Sequence, residues 1–217
     1  MKKIGVVLAG CGSQDGSEIH EATLTLYFLD KLGAEIQCFA PNISQWHIID
    51  HYSDKVQEGT DRNMLIEAAR IARGAIRDLQ ELEIDSLDGI IFPGGFGVAK
   101  NLCDFAFKNE NCQVNQDVAN IILEMHEAGK PQGFICIAPV LAARVLGKFH
   151  PELTIGNDPA TAKILEDWGA VHVISGVDEM VYDPKHKIVS TAAYMLGPTI
   201  SKIAIGIEKL VAKVMEV

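Results

Sequence analysis

Short continuous apolar runs alternate along the chain with stretches that repeat an apolar position every three to four residues. These are the signatures of buried strands and of amphipathic helices. Residues 4–9 form an unbroken apolar run ending in Gly10, which suits a strand covered on both faces. Ser17 stands where it can cap a helix through Ile19, Ala22, Leu26 and Leu29 to Leu32, stopped by Gly33. Residues 35–40 read as a second strand ended by Pro41, residues 42–59 as polar and irregular, and residues 63–72 and 76–82 as helical. Residues 89–92 predict a strand running into glycines, and residues 118–128 a helix closed by Gly129. A strand over 131–135 leads into Cys136, with a helix over 138–146 directly after it. A strand over 153–156 precedes Asp158-Pro159, the cap and first-turn proline of a helix ending at Trp168-Gly169. Residues 171–174 read as a strand, 180–183 and 187–191 as a hairpin, and 198–216 as an apolar-striped closing helix.

Alternating strand and helix units predict an α/β fold. The expected architecture is a doubly wound three-layer sandwich, a mostly parallel sheet with helices on both faces and a small β-hairpin. A length of 217 residues, without repeat, low-complexity tract or linker, predicts one domain over residues 1–217. Hydrophobic residues at 48% and charged ones at 22% exclude a disordered or fibrous chain. No apolar run approaches the roughly 18–20 residues that span a bilayer. The 19 basic and 29 acidic residues give a formal charge of -10, which disfavours nucleic acid and anionic membrane surfaces as partners. The five cysteines, Cys11, Cys38, Cys103, Cys112 and Cys136, are odd in number and have no CxxC spacing. They predict free thiols in a reducing cytoplasm rather than a disulfide scaffold or a thiolate zinc site. Leu8-Ala9-Gly10-Cys11 imitates a lipoprotein cleavage box, but the apolar stretch before it is shorter than the ~7–15 residues of a secretory core, so the strand reading stands.

In such a sheet, ligands bind beyond the carboxyl ends of the strands, where strand order reverses. Three strand ends carry unusual chemistry. At the third, Gly133-Phe134-Ile135-Cys136-Ile137-Ala138-Pro139 sets a thiol between a strand and a helix. Two readings fit it: a nucleophile held out at an elbow, its pKa lowered by the helix N-terminus, or an inert core cysteine. At the second, Pro93-Gly94-Gly95-Phe96-Gly97 offers main-chain N–H groups for an oxyanion and lacks the Lys-Ser/Thr of a phosphate loop. At the first, Gly10, Gly12 and Gly16 imitate a dinucleotide fingerprint, but Glu18 and Glu21 in the following helical turn would repel a pyrophosphate. Glu18 and Glu21 share a helix face. One can reach over the sheet toward a thiol, or both can simply offset the helix dipole. His47-Ile48-Ile49-Asp50-His51 imitates an inverted zinc motif without a third ligand, so no metal is expected. Met195, Met215 and the terminal stripe read as core or subunit interface.

Taken together, these segments resemble the ThiJ/PfpI group of the class I glutamine amidotransferase-like superfamily, and within it the ElbB-type proteins associated with isoprenoid biosynthesis. The likeness runs end to end through Gly10-Cys11-Gly12, Asp15–Glu21, Pro93-Gly94-Gly95-Phe96-Gly97, Ala99-Lys100-Asn101-Leu102, Cys136-Ile137-Ala138-Pro139, Leu153-Thr154-Ile155-Gly156 and Ala193-Tyr194-Met195-Leu196. The resemblance implies a flavodoxin-like, class I amidotransferase-like fold, with Cys136 as nucleophile and Glu21 as its acid partner. It further implies Gly95 and the Ile137 N–H as oxyanion donors, with Gly94, Asn101 and Glu18 around the substrate. The superfamily places a His about 20 residues after the nucleophile, whereas this chain reads Gly156-Asn157-Asp158 there. A full Cys-His-acid triad, and amidotransferase or peptidase activity with it, is therefore not expected. His20 is the nearest substitute in sequence, and His126, His150 and His172 are further ones. The implied activity is a cofactor-free, glutathione-independent glyoxalase acting on small dicarbonyls through a Cys136 hemithioacetal. Alternatives are a deglycase on the same cysteine, or a redox sensor or regulatory protein tied to isoprenoid metabolism. The resemblance also implies a homodimer.

Overall fold

The computed structural model describes residues 1–197 and 199–217. In chain order its elements are β1 (Lys3–Val7), α1 (Ile19–Lys31), β2 (Glu35–Ala40), β3 (Ile49–Asp50), β4 (Lys55–Val56), α2 (Met64–Ile71), β5 (Ile76–Asp78) and β6 (Gly89–Phe92). Then follow α3 (Phe105–Lys108), α4 (Gln116–Glu127), β7 (Gln132–Ile135), α5 (Pro139–Leu146), β8 (Glu152–Leu153), α6 (Pro159–Asp167), β9 (Val171–His172), β10 (Val181–Asp183), β11 (Ile188–Thr191) and α7 (Ile200–Glu216).

Seven strands form one sheet in the order β10-β11-β7-β6-β1-β2-β5, parallel throughout except for the β10–β11 hairpin. The chain winds outward from β1 to β2 and β5, then returns to β6 and winds the other way, so strand order reverses between β1 and β6. This is the expected doubly wound α/β architecture, with its crevice at the carboxyl ends of β1 and β6. Neighbouring residues in the central strands serve opposite faces, as a pleated strand requires. Val7, Phe92 and Phe134 join Ile122 and Leu141 on one side. Val6, Ile91 and Ile135 join Leu29 and Leu210 on the other. Phe92 and Phe134 stack with ring centroids 5.1 Å apart. The lipoprotein-like stretch is thus occupied by a buried strand at the middle of the sheet.

Three local expectations are corrected. Ser17 does not cap α1; its hydroxyl accepts the Ala9 N–H at 2.8 Å, and Glu18 is the cap, accepting the Glu21 N–H at 2.7 Å. Residues 76–82 are not a helix. Ile76 pairs with Cys38 as an edge strand, and Asp78 then caps a short 3₁₀ turn. Ile76, Leu79 and Leu82 carry the three-residue spacing of a helix, but a stretch that short cannot separate a helix from a strand followed by a turn. Within the irregular 42–59 stretch, β3 and β4 form a small antiparallel ladder. The predicted closing helix starts at Ile200, and Pro198 lies outside the described residues.

Candidate active site

Cys136 is the first residue after β7, and its φ of +62° is a left-handed conformation rarely taken by residues other than glycine. Two bonds hold it there: its N–H donates to the Thr191 carbonyl at 2.9 Å, and the Ala138 N–H donates to the Ile135 carbonyl at 3.0 Å. Pro139 then opens α5 with its fixed φ and no N–H to satisfy. The strand, the strained turn and the helix have the shape of the elbow that holds a nucleophile in hydrolases. Ala193, after β11, is a second non-glycine residue at positive φ, +41°, and it presents Tyr194 to the same crevice. Such strain persists only where the surrounding structure enforces it.

Glu21, in the first turns of α1, is completely buried. Its Oε2 accepts the Gly94 N–H at 3.0 Å, its Oε1 accepts the Tyr194 N–H at 3.2 Å, and its carboxyl lies beside Cys136. Burial raises its pKa to about 8, the neighbouring Glu18 charge adds to the rise, and the Tyr194 N–H, Cys136 and the Gly94 N–H oppose it. At neutral pH the carboxyl therefore carries a proton. The Cys136 thiol is also pushed well above its ordinary range, first by burial and then by the charge of Glu21. The Gly95 and Ile137 N–H groups, which face the sulfur, pull in the other direction. The expectation of a thiol pKa lowered by the helix dipole is thus overturned. Cys136 is only 8% exposed, and desolvation together with Glu21 outweighs the Gly95 and Ile137 N–H groups.

The glycines allow this closeness. A Cβ on Gly94 would fall 2.5 Å from the Cys136 Cβ and 2.5 Å from Glu21 Oε2. Gly95 has φ +102°, and a Cβ there would meet the Glu18 nitrogen at 2.3 Å. Gly94 is not a free donor, because its N–H is committed to Glu21; the open donors at the sulfur are Gly95 and Ile137.

Above the sulfur lies a cavity of about 520 Å³ lined by Ser13, Glu18, His20, Gly95, Phe96, Cys136, Ile137, Tyr194 and Met195. His20 lines it, with Nδ1 2.8 Å from the Tyr194 hydroxyl and 3.9 Å from Glu18 Oε1. The other histidines are engaged elsewhere. His126 Nε2 lies 2.9 Å from His186 Nδ1, His150 Nδ1 bonds the Gly169 carbonyl, and His172 Nε2 accepts the Ile155 N–H. Asp158 caps α6 through the Thr161 N–H.

Asn101 does not belong to the substrate site. Its Oδ1 accepts the Trp46 N–H at 2.9 Å and its Nδ2 donates to the Asp15 carbonyl at 3.0 Å, so it fastens the 10–17 loop to the 42–59 segment. His51 belongs to the same fastening, with Nε2 3.3 Å from the Gln14 nitrogen. Tyr194, Ser13 and Phe96 had no role assigned from the sequence, and Met195, read as core or interface, also lines the cavity. Phe96 lay within the Pro93–Gly97 match, and Tyr194 and Met195 within the Ala193-Tyr194-Met195-Leu196 match, whose position opposite Glu21 only the return of β11 reveals.

No family model matches the chain. A human protein, glutamine amidotransferase-like class 1 domain-containing protein 3, mitochondrial, is 45% identical over 223 residues, covering 99% of this chain and 82% of that one. The chain belongs to the class I glutamine amidotransferase-like family. A rat member, the mitochondrial ES1 protein homolog, is 44% identical, with 99% and 83% of the two chains covered. Among solved structures, an isoprenoid biosynthesis protein with an amidotransferase-like domain from Ehrlichia chaffeensis superposes with a TM-score of 0.93 at 34% identity, covering 100% of this chain and 99% of that one. A DJ-1 superfamily protein from Agrobacterium tumefaciens shares the fold, with a TM-score of 0.58 at 15% identity and coverage of 98% and 91%. The cytoplasmic assignment does not survive the family. Its human and rat members are named as mitochondrial, and free thiols report a reducing environment without specifying which compartment provides it.

Proposed function

We propose that this family member is a glutathione-independent glyoxalase-type enzyme that converts glyoxal or methylglyoxal to glycolate or lactate. The observation that carries the reading is the buried Cys136–Glu21 pair at the floor of the cavity, with two main-chain N–H groups facing the sulfur. Once the pair has lost one of its two protons, the one that remains can sit on the carboxyl and leave the sulfur as nucleophile, so the pair supplies both nucleophile and acid. The sulfur adds to one aldehyde carbon, forming the C–S bond, while the Glu21 proton passes to the carbonyl oxygen. This gives the hemithioacetal and leaves Glu21 as a carboxylate. Glu21 then removes the hydrogen of that carbon as a proton and returns it to the neighbouring carbon through an enediol. The Gly95 and Ile137 N–H groups stabilise the developing oxyanion, and the His20–Tyr194 pair at the wall handles the proton on the second oxygen. Water cleaves the resulting thioester, releasing the hydroxy acid and restoring the proton to the pair. No oxidant, reductant or added thiol enters the balance.

A redox sensor on the same residue calls for an exposed, ionised sulfur. The 8% exposure of Cys136 and its raised pKa support that reading less well. The test is glycolate formation from glyoxal, followed by NMR without added thiol. The intact protein is expected to form glycolate with a steady-state rate constant in the enzyme range of ~1–10³ s⁻¹, and Cys136→Ser to form none. Equal turnover in the variant would remove Cys136 from the chemistry.

A further inference from the structure

Glyoxal and methylglyoxal are much smaller than the chamber above Cys136. Each takes the space of about three waters, on the order of 90 Å³, whereas the cavity measures about 520 Å³, within the range of sites for larger organic ligands. Beyond the sulfur and its oxyanion donors, much of the wall is apolar: Phe96, Ile137, Met195 and the Tyr194 ring. Phe96 is 55% exposed, which leaves its ring accessible from the cavity it lines. The charged lining group is Glu18, with Glu21 buried beneath, and no lysine or arginine lines the cavity among the described residues. Lys100 lies 5.2 Å from the Phe96 ring centroid, and its ammonium is bonded to the Gln14 carbonyl. The formal charge of -10 adds to the repulsion of anions.

We infer that the preferred substrate is an uncharged 2-oxoaldehyde bearing a bulky apolar substituent, aromatic or branched, which lies along Phe96 and Met195 while its aldehyde meets Cys136. This deepens the glyoxalase reading and rests on it for the chemistry; the binding it describes does not. Carboxylated and phosphorylated aldehydes are disfavoured by the charge of Glu18 in the wall and the lack of a lysine or arginine among the described lining residues. Apolar pockets discriminate by roughly 10-fold or more per buried group of this kind.

The test compares phenylglyoxal, methylglyoxal and the anion glyoxylate, each normalised to its rate of addition to a free small thiol. The expected kcat/KM for phenylglyoxal exceeds that for methylglyoxal by at least about 10-fold, with glyoxylate inert, and Phe96→Ala lowers that ratio. A second arm measures saturable binding of the unreactive 2-hydroxyacetophenone to Cys136→Ala by ligand-observed NMR. Where dicarbonyls are turned over, the ratio decides: methylglyoxal equal or preferred, or glyoxylate competent, overturns the inference and leaves the glyoxalase reading intact. Where none is turned over, that reading falls and binding decides: binding of 2-hydroxyacetophenone supports the apolar site, and its absence overturns it.

Discussion

Glu21 gives up its proton at 4.5 in its ordinary setting and at about 8 in the folded chain, because burial and the Glu18 charge disfavour the anion. Between those values the native state binds one proton more than the unfolded state, so this residue makes stability fall as pH rises through that window. Glu21→Gln cannot ionise and lacks this slope. Measured by denaturant titration from pH 5 to 8, the stability advantage of the natural protein over Glu21→Gln should shrink by about 1.4 kcal/mol per pH unit. A difference independent of pH would show that Glu21 is ionised throughout. Alkylation of Cys136 by iodoacetamide should be slower at pH 8 than that of a free small thiol and rise only at higher pH, because burial and the Glu21 charge hold the thiol pKa well above its ordinary range. The placement of Cys136 between strand and helix was legible in its own segment, and the placement of Glu21 beside it followed from the family likeness. Their proton balance was not legible, because the dipole expected to ionise Cys136 is a local feature, whereas the burial that opposes it comes from three separate segments.

At the scale of elements, the crevice depends on turns that tolerate no extra atom. Gly94→Ala would press a methyl into both Cys136 and Glu21. Overpacking of this kind costs about 1–3 kcal/mol, so a lowered denaturation midpoint and a changed Cys136 alkylation rate should appear together. Asn101→Ala separates a fastening role from a substrate role. Loss of its bonds to Trp46 and Asp15 should lower stability by about 1–3 kcal/mol and shift Trp46 fluorescence, with Cys136 alkylation unchanged. A large fall in that rate would return Asn101 to the site. The elements with strong local signals were readable: Glu35–Ala40 and Gly89–Phe92 have the predicted bounds, and Asp158-Pro159 opens α6 as expected. Ile76–Asp78 was misread because pairing with β2, a long-range contact, decides its conformation. Asn101 was misplaced for a related reason: sequence shows a polar residue near a glycine turn, and only the folded loops show which way it is spent.

Across the whole molecule, alternating strand and helix patterns were enough to give the doubly wound class, but strand order was not encoded in any single segment. Cys136, Glu21, Gly95 and Tyr194 lie far apart in the chain and meet because β6, β7 and β11 line up in succession on one side of β1. The central place of β1 has a consequence for synthesis. β1 is made before both strands it pairs with, and one of them, β6, is complete only at Phe92, so an apolar edge waits unpaired through that interval. Unpaired edges recruit other chains. A fragment truncated at residue 85 should therefore aggregate or be held by a chaperone, and adding residues 86–135, which supply β6 and β7, should restore solubility in a stalled-nascent-chain assay. The timing of translation, as much as the composition of the finished core, then governs how much of this protein reaches its native state.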